Sequence, residues 1–365
     1  AHDSRVTPQS DFAIAPGWSV ADANSIPGFS AVCYLLAYEL QKTLDIPFGM
    51  IKSAWGGSGI KTWIGARELK RTGNFDRELS WLDTYANDKK QANIQFGQAW
   101  EQWWGRVNPK GGQPWKESAH QSFEWTRSPA KMGNWKMFGD PELANHHGMV
   151  WFRKTFDLSS EQADKGAVLA LGGIDEVDYL WVNGRFIGST FGYGTERFYD
   201  LPPGVLRTGT NSITVNVLNT WDAGGMVGPN DHVELKFSGE ESLPLGFGWS
   251  YRKVPAEISS PPRVPWEELG GLTGLSNAMI APMEGLKLTG AIWYQGESDT
   301  GNTASYAQLL TSLATDWRGR FGASLPFLIV QLPGFGKLSS APMESGWAAL
   351  RDAQRRAAEA HPKTG

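Results

Sequence analysis

Two glycine-containing loops carry the residues of this sequence that are best suited to contacting a small ligand. The first loop contains Trp55, Gly56 and Gly57, and the second contains Gln295 and Glu297. Glycine lets backbone N–H groups approach a ligand closely, and glutamine and glutamate offer an amide donor and a carboxylate. Taken separately, each pattern is equally typical of an ordinary turn, and a glutamate there also suits the first turn of a helix.

Each loop follows a short apolar run that predicts a buried parallel strand, at 48–54 and at 289–294. Ligands of open α/β sheets bind at the carboxyl ends of such strands. The surrounding apolar spacing predicts alternating helices and strands. We expect a helix capped by Ser30, further helices at 304–321 and 347–360, and a strand at 326–332.

The middle of the chain has a different pattern. Apolar and polar residues alternate from residue 149 onward, and Asn183-Gly184 is a strong signal for a tight hairpin. We therefore predict an all-β insertion that interrupts an α/β domain. The predicted limits are a first α/β part at 1–110, an irregular connector at 111–148, a β-sandwich at 149–255 and a second α/β part at 256–365.

Composition excludes several classes of protein. The 365 residues include 34 Lys and Arg against 38 Asp and Glu, a net charge of −4, so we expect no nucleic-acid partner. Apolar runs such as 327–330 are too short to span a membrane. Cys33 is the only cysteine, which excludes an intrachain disulfide and a thiolate metal cluster. The 18 tryptophans suit either sugar stacking or an aromatic core, and composition favours neither.

Taken together, several stretches resemble the sialate O-acetylesterase-like branch of the SGNH hydrolases, whose members remove acetyl groups from sugars and plant polysaccharides. The resemblance covers both α/β parts, and the Trp-Tyr-Gln-Gly-Glu-Ser run is its most specific motif. It implies a doubly wound, flavodoxin-like parallel sheet. The matching stretches are 29–40, 51–57, 277–282, 290–298, 325–332 and 347–354.

The resemblance also implies a reaction and a site. A Ser-His-Asp triad would remove an acetyl group from a carbohydrate, with sialate, xylan and xyloglucan all open as substrates. Gly57, with Gly56 as the alternative, and Gln295 would donate hydrogen bonds to the oxyanion. Glu297 would not touch the oxyanion but would accept a hydrogen bond that holds the loop in place. We expect the aromatic side chains of these loops to contact substrate. These are Trp55, Trp293 and Tyr294. No metal or cofactor is required, and a periplasmic or secreted location is expected.

The insertion resembles the jelly-roll sugar-binding domain of family-two glycoside hydrolases. The matching stretches are 150–156, 181–184 and 209–213. A sugar-binding fold does not establish a sugar site, so we expect the insertion to shape the cleft. The alternative function is a non-catalytic glycan-binding protein that uses this β-sandwich.

The family's Gly-Gln-Ser-Asn nucleophile motif and its Asp-x-x-His motif are absent from the sequence. Ser10 lies in the nearest look-alike, but the polar residues before it do not predict a buried strand. Ser53, Ser58 and Ser298 read as loop-shaping residues, and the adjacent His146 and His147 would point to opposite faces of a strand. We therefore expect the chain to be a central fragment, with a companion polypeptide completing the sheet and the triad.

Overall fold

The structure is a computed structural model that describes residues 2–14, 17–116, 118, 124–129, 131–222, 224–239, 241–336, 340–341 and 343–365. Helices and sheets are mixed, and most strand pairs are antiparallel. The chain forms two compact units, Ala1–Ala86 with Pro265–Gly365 and Asn87–Val264. No helix in the described ranges has both the length and the apolar character needed to cross a membrane.

The helices and strands are numbered in chain order. The helices are α1 (Ala31–Leu44), α2 (Ala66–Thr72), α3 (Asp76–Asn87), α4 (Lys89–Val107), α5 (Pro141–Ala144), α6 (Ser160–Asp164), α7 (Thr303–Phe321) and α8 (Gly346–Glu359). The strands are β1 (Thr126–Arg127), β2 (Gly148–Leu158), β3 (Ala167–Asp175), β4 (Val177–Val182), β5 (Arg185–Phe191), β6 (Glu196–Leu201), β7 (Gly209–Asn219), β8 (Gly225–Met226), β9 (Val233–Phe237), β10 (Ser242–Pro244), β11 (Ser250–Lys253), β12 (Ala291–Trp293) and β13 (Phe327–Ile329).

Helix α1 begins at the cap that its sequence predicts. The Ser30 hydroxyl accepts a hydrogen bond from the Cys33 N–H, and Asp45 adopts a left-handed conformation that closes the helix. None of its side chains is buried, and Leu35 and Leu44 are exposed. The helix is therefore specified by its caps, while its apolar side chains pack against little of the described chain.

The first unit contains a two-stranded parallel sheet in which β12 pairs with β13. Thr364 also bridges Phe327 of β13 in parallel. The predicted strand at 48–54 is wrong, because this run pairs with no other strand in the described chain and a strand needs a neighbour for its N–H and C=O groups. The doubly wound sheet stays a prediction.

The core of the first unit lies between its helices and this small sheet. Helix α7 buries Leu310, Leu313 and Trp317, and α8 buries Leu350 and Ala353 in the same cluster. This packing fixes the strand end from which the second glycine loop emerges.

The second unit is built on two antiparallel sheets that share one apolar core. Their orders are β1-β11-β2-β7-β4-β5 and β10-β9-β3-β6, and β8 pairs with β3. Asn183 and Gly184 both have positive φ angles, 50° and 77°, in the turn between β4 and β5. The predicted hairpin is therefore confirmed.

Helix α4 covers the outer face of the larger sheet. The ring of Trp100 lies 4.8 Å from that of Trp181 and 5.7 Å from that of Trp151, measured between centroids. The compact second unit thus begins at residue 87, whereas the sequence assigned 1–110 to the α/β part. Most of the largest fully buried side chains are tryptophans, namely Trp100, Trp104, Trp115, Trp135, Trp151, Trp181 and Trp249.

A buried ion pair braces one end of the β-sandwich. The Arg197 Nε donates to Asp178 Oδ1 at 2.8 Å, and both side chains are fully buried. Three further guanidinium N–H groups donate to the backbone carbonyls of Glu176, Gly192 and Thr195. The arginine therefore fixes the loop before β6 through main-chain atoms.

Candidate functional site

The two glycine-containing loops meet at the side chain of Gln295. Its Nε2 donates to the Ser58 carbonyl at 2.8 Å and to Asp299 Oδ2 at 2.6 Å. The same Asp299 oxygen accepts the Ile60 N–H at 2.8 Å. The structure therefore brings together two sequence segments that lie more than 200 residues apart.

The rest of Gln295 is held equally firmly. Tyr306 donates its hydroxyl to Gln295 Oε1 at 2.9 Å, and Gln354 donates its amide to the Gln295 carbonyl at 3.0 Å. The side-chain oxygen of Gln354, Oε1, accepts a hydrogen bond from the Leu332 N–H at 3.0 Å. Burial raises the pKa of Tyr306 well above its ordinary value, so this hydroxyl stays protonated and keeps donating.

Ser58 is a structural residue of the first loop. Its hydroxyl donates to the Trp55 carbonyl at 2.7 Å and accepts the Trp63 Nε1–H at 2.9 Å. The side chain is buried. Both contacts fix the loop backbone, in line with a loop-shaping residue.

Gly56 and Gly57 are the exposed part of this loop. Gly57 has a φ of +80°, a left-handed conformation that strains any other residue, and the space around Gly56 is open. Neither backbone N–H donates to another described residue. Two donors at the surface of the loop are thus available to a ligand.

The three aromatic residues predicted to contact substrate differ in exposure. Tyr294 is 48% exposed, and Trp55 is half-buried with the His2 ring stacked 4.7 Å away. Trp293 is only 5% exposed and packs edge-to-face against Trp317 in the core. Tyr294 and Trp55 lie at the surface of the site, while Trp293 supports it from below.

Asp299, rather than Glu297, joins the loops. Glu297 is exposed, and its carboxylate hydrogen-bonds to no described residue. Asp299 is buried, and burial raises the pKa of its carboxyl group against the opposing hydrogen bonds from Gln295 and Ile60. Sequence reasoning missed Asp299, although it follows Glu297 by two residues in the same short 3₁₀ turn.

Among the described residues, no hydrogen bond joins a histidine to any of the serines considered as nucleophiles. Ser10 and Ser298 are exposed, while Ser53 donates to the Met279 carbonyl at 3.4 Å. The chain before Ser10 runs beside the short π-helix Ser276–Ile280, where the Gln9 N–H donates to the Asn277 carbonyl. Within the part of the chain that the structure describes, these serines therefore assemble no catalytic triad.

The adjacent histidines have separate partners. His146 hydrogen-bonds to the Met149 carbonyl and His147 to the Asp222 carbonyl, each at 3.1 Å. Burial lowers the pKa of His146, which favours its neutral form. In the described ranges no group of three metal-ligating side chains is arranged to hold an ion.

Two family models match separate parts of the chain. Residues 273–363 match carbohydrate esterase, sialic acid-specific acetylesterase, and residues 130–239 match the sugar binding domain of glycosyl hydrolases family 2. The sialate O-acetylesterase of Homo sapiens is 48% identical over 44 residues, and that of Rattus norvegicus 46%. Each match covers 12% of this chain and 8% of the relative. The esterase resemblance is confirmed over residues 273–363, and the sugar-binding-domain resemblance over residues 130–239.

Solved structures related to the chain cover small parts of it. The β-glucuronidase of Bifidobacterium dentium is 26% identical, with a TM-score of 0.20, over 22% of this chain and 13% of that one. A β-glucuronidase from Ruminococcus gnavus is 17% identical, with a TM-score of 0.26, over 38% and 27%. Scores this low carry no argument about function.

Proposed function

We propose that this chain provides the oxyanion-stabilising part of a carbohydrate O-acetylesterase with an SGNH-type sheet. The observation that carries the proposal is the meeting of the two loops at Gln295, beside the exposed N–H groups of Gly56 and Gly57. The match of residues 273–363 to a carbohydrate esterase family supports the same chemistry. Acetylated sialate, xylan and xyloglucan stay open as substrates.

In this mechanism a serine attacks the acetyl carbonyl while a histidine takes the serine proton and an aspartate orients the histidine. The histidine then protonates the departing sugar oxygen, which leaves as a hydroxyl, and water releases acetate from the acyl-enzyme in a second, equivalent step. The negative charge on the tetrahedral oxygen needs fixed donors. Gly57 supplies one through its backbone N–H, with Gly56 as the alternative, and Gln295 supplies another.

The role of Gln295 requires a change of partner. Both of its amide N–H groups already donate, to Ser58 and to Asp299. We propose that one of these hydrogen bonds is exchanged for the oxyanion as the transition state forms. The acceptor left behind is either the Ser58 carbonyl or the Asp299 carboxylate, and Asp299 keeps the hydrogen bond from the Ile60 N–H.

The triad belongs, in this proposal, to a companion polypeptide segment that pairs with β12. In the described ranges β12 pairs only with β13, which leaves its other edge open. The unburied apolar side chains of α1 and the unpaired run at 48–54 suit contact with the same added segment. A parallel strand with apolar residues on both faces fits this position.

Peptide mass spectrometry of the protein purified from its natural source tests the companion segment. We expect peptides that contain Gly-Gln-Ser-Asn and Asp-x-x-His to copurify with this chain, together with hydrolysis of p-nitrophenyl acetate. A homogeneous chain that hydrolyses no ester yet is retained on a polysaccharide column would instead support the glycan-binding alternative.

In that natural protein, replacing the amide donor tests the site. Gln295→Ala should lower kcat by roughly 10²-fold with little change in KM, as expected for a lost oxyanion donor. Gln308→Ala is the matched control, because Gln308 is an exposed glutamine of the same unit on α7. An unchanged kcat in Gln295→Ala would remove Gln295 from the mechanism.

A further inference from the structure

The side-chain amide of Gln295 is held at both of its ends by residues of the first unit. On the nitrogen side, Nε2 donates to the Ser58 carbonyl at 2.8 Å and to Asp299 Oδ2 at 2.6 Å. On the oxygen side, Oε1 accepts the Tyr306 hydroxyl at 2.9 Å, and no other described residue donates to it. The opposite orientation would place Oε1 against two other oxygen acceptors, so the network selects one orientation of the amide.

The hydroxyl of Tyr306 is arranged to donate to this amide. Its oxygen accepts the indole N–H of Trp293 at 3.4 Å, and the whole side chain is buried in the first turn of α7. The hydroxyl also lies 3.0 Å from the Gln295 carbonyl, but that carbonyl already accepts the amide of Gln354. The single hydroxyl proton is therefore directed to Gln295 Oε1.

The two hydrogen bonds of Gln295 Nε2 differ in strength and in direction. The bond to Asp299 is the shorter one, and a carboxylate is a stronger acceptor than a neutral carbonyl. The bond to Ser58 points into the first loop, which also carries the backbone N–H groups of Gly56 and Gly57. An oxyanion bound by those N–H groups thus competes with the Ser58 carbonyl for Nε2, and not with Asp299.

We propose that Asp299 and Tyr306 are positioning residues that hold the Gln295 amide at both ends while its hydrogen bond to the Ser58 carbonyl is exchanged for the oxyanion. This inference rests on the proposed esterase reaction and names the side chains that orient its amide donor. Both act through Gln295 and need no contact with substrate. Their effect falls on the transition state, where the negative charge develops, so their loss lowers kcat and leaves KM unchanged.

A double-mutant cycle in the natural protein tests this role. Tyr306→Phe removes one hydroxyl and should lower kcat about tenfold at unchanged KM. In a Gln295→Ala background the same substitution should change kcat by less than about twofold, because its target is gone. Thr315→Val is the matched control, since it removes an exposed hydroxyl of α7 that bonds within the helix, to the Thr311 carbonyl. It should leave kcat unchanged in both backgrounds.

Asp299 is tested by a conservative pair of substitutions. Asp299→Ala removes the acceptor and should lower kcat at least about tenfold, whereas Asp299→Asn keeps an acceptor oxygen and should stay within about threefold of the wild type. In the Gln295→Ala background Asp299→Ala should lower kcat no further, although it still weakens the fold. A purely structural role of Asp299 would instead lower kcat equally in both backgrounds, which would overturn its positioning role.

NMR of the full chain measures the hold on the amide without any turnover. The side-chain amide protons of Gln295, assigned by their loss in Gln295→Ala, should exchange with solvent roughly tenfold faster in Tyr306→Phe than in the wild type, and at the wild-type rate in Thr315→Val. Unchanged exchange and unchanged kcat in Tyr306→Phe overturn the positioning proposal while Gln295 keeps its role. An unchanged kcat in Gln295→Ala overturns the oxyanion role, and the positioning proposal with it.

Discussion

Helices α1 and α4 show how differently the two units use their apolar side chains. Both helices are capped by a side chain that accepts a backbone N–H of the first turn, Ser30 in α1 and Asp88 in α4. Helix α4 buries Phe96, Trp100 and Trp104, whereas α1 buries no side chain at all. Local capping therefore suffices to define a helix, while burial depends on what the rest of the chain supplies.

The same contrast holds for the strands. In the second unit every long strand has neighbours in the described chain, and consecutive residues of β7 are buried, so both faces of the larger sheet are covered. Among the residues that the structure describes, β12 of the first unit has a strand neighbour on one edge only. The strands of the β-sandwich are thus paired within the described chain, whereas the other edge of β12 is the one where the proposed companion segment would pair.

The largest expected effect is a loss of stability when the contact of Trp100 on α4 with Trp151 and Trp181 is removed. Trp100→Ala should lower the free energy of unfolding by about 3–5 kcal/mol, because it removes a fully buried ring. Urea unfolding of the full chain measures this change. Gly105→Ala on the same helix is the control, since its position is open and alanine favours a helix by roughly 0.5–1 kcal/mol. A small loss in Trp100→Ala would mean that α4 does not depend on this contact.

A smaller effect is expected where the loops of the first unit meet. Asp299→Ala should cost about 2–3 kcal/mol, because Ile60 and Gln295 would each keep a donor without its acceptor. Glu297→Ala, in the same turn but exposed, should change stability by less than about 0.5 kcal/mol. Equal effects of the two substitutions would show that Asp299 does not join the loops.

The pH dependence of stability gives a second measurement at Asp299. Burial raises the pKa of its carboxyl group, so the folded protein holds this proton more tightly than the unfolded chain does. The contribution of Asp299 to the free energy of unfolding should therefore decrease as pH rises from the ordinary carboxyl range through the raised pKa. Asp299→Asn lacks this group and should lose that part of the pH dependence in urea titrations.

The smallest effect is expected on α1. Leu35→Ala should change the stability of this chain alone by less than about 0.5 kcal/mol, because Leu35 is already exposed. In the natural protein with a companion segment docked, the same substitution should cost about 2–4 kcal/mol. A small cost in both forms would remove α1 from the proposed interface, and a large cost in the chain alone would show that α1 is already packed.

The sequence predicted features that are decided locally. The hairpin at Asn183-Gly184 and the cap at Ser30 depend on the conformations available to a few consecutive residues, and both are present. The run at 48–54 has the composition of a strand but forms none, because pairing depends on a distant neighbour. The packing of α4 on the β-sandwich was not predicted either, because it also depends on residues that are distant in the sequence.

At the candidate site the sequence located both loops but not all of their contacts. The motif around Gln295 contains two carboxylates, and sequence alone does not tell which one faces inward. The short 3₁₀ turn decides this, leaving Glu297 in solvent and burying Asp299. Trp293 looked like a surface aromatic because it adjoins the loop, yet its place on β12 puts it in the core.

The buried guanidinium of Arg197 has a consequence for how this protein can change over evolution. Arg197 donates hydrogen bonds to backbone carbonyl oxygens of the loop before β6, and every amino acid has such an oxygen. Residues such as Tyr193 can therefore be exchanged while the loop keeps its course. The surface side chains at this end of the β-sandwich can therefore vary during evolution while the backbone of the loop, and with it the fold, is kept.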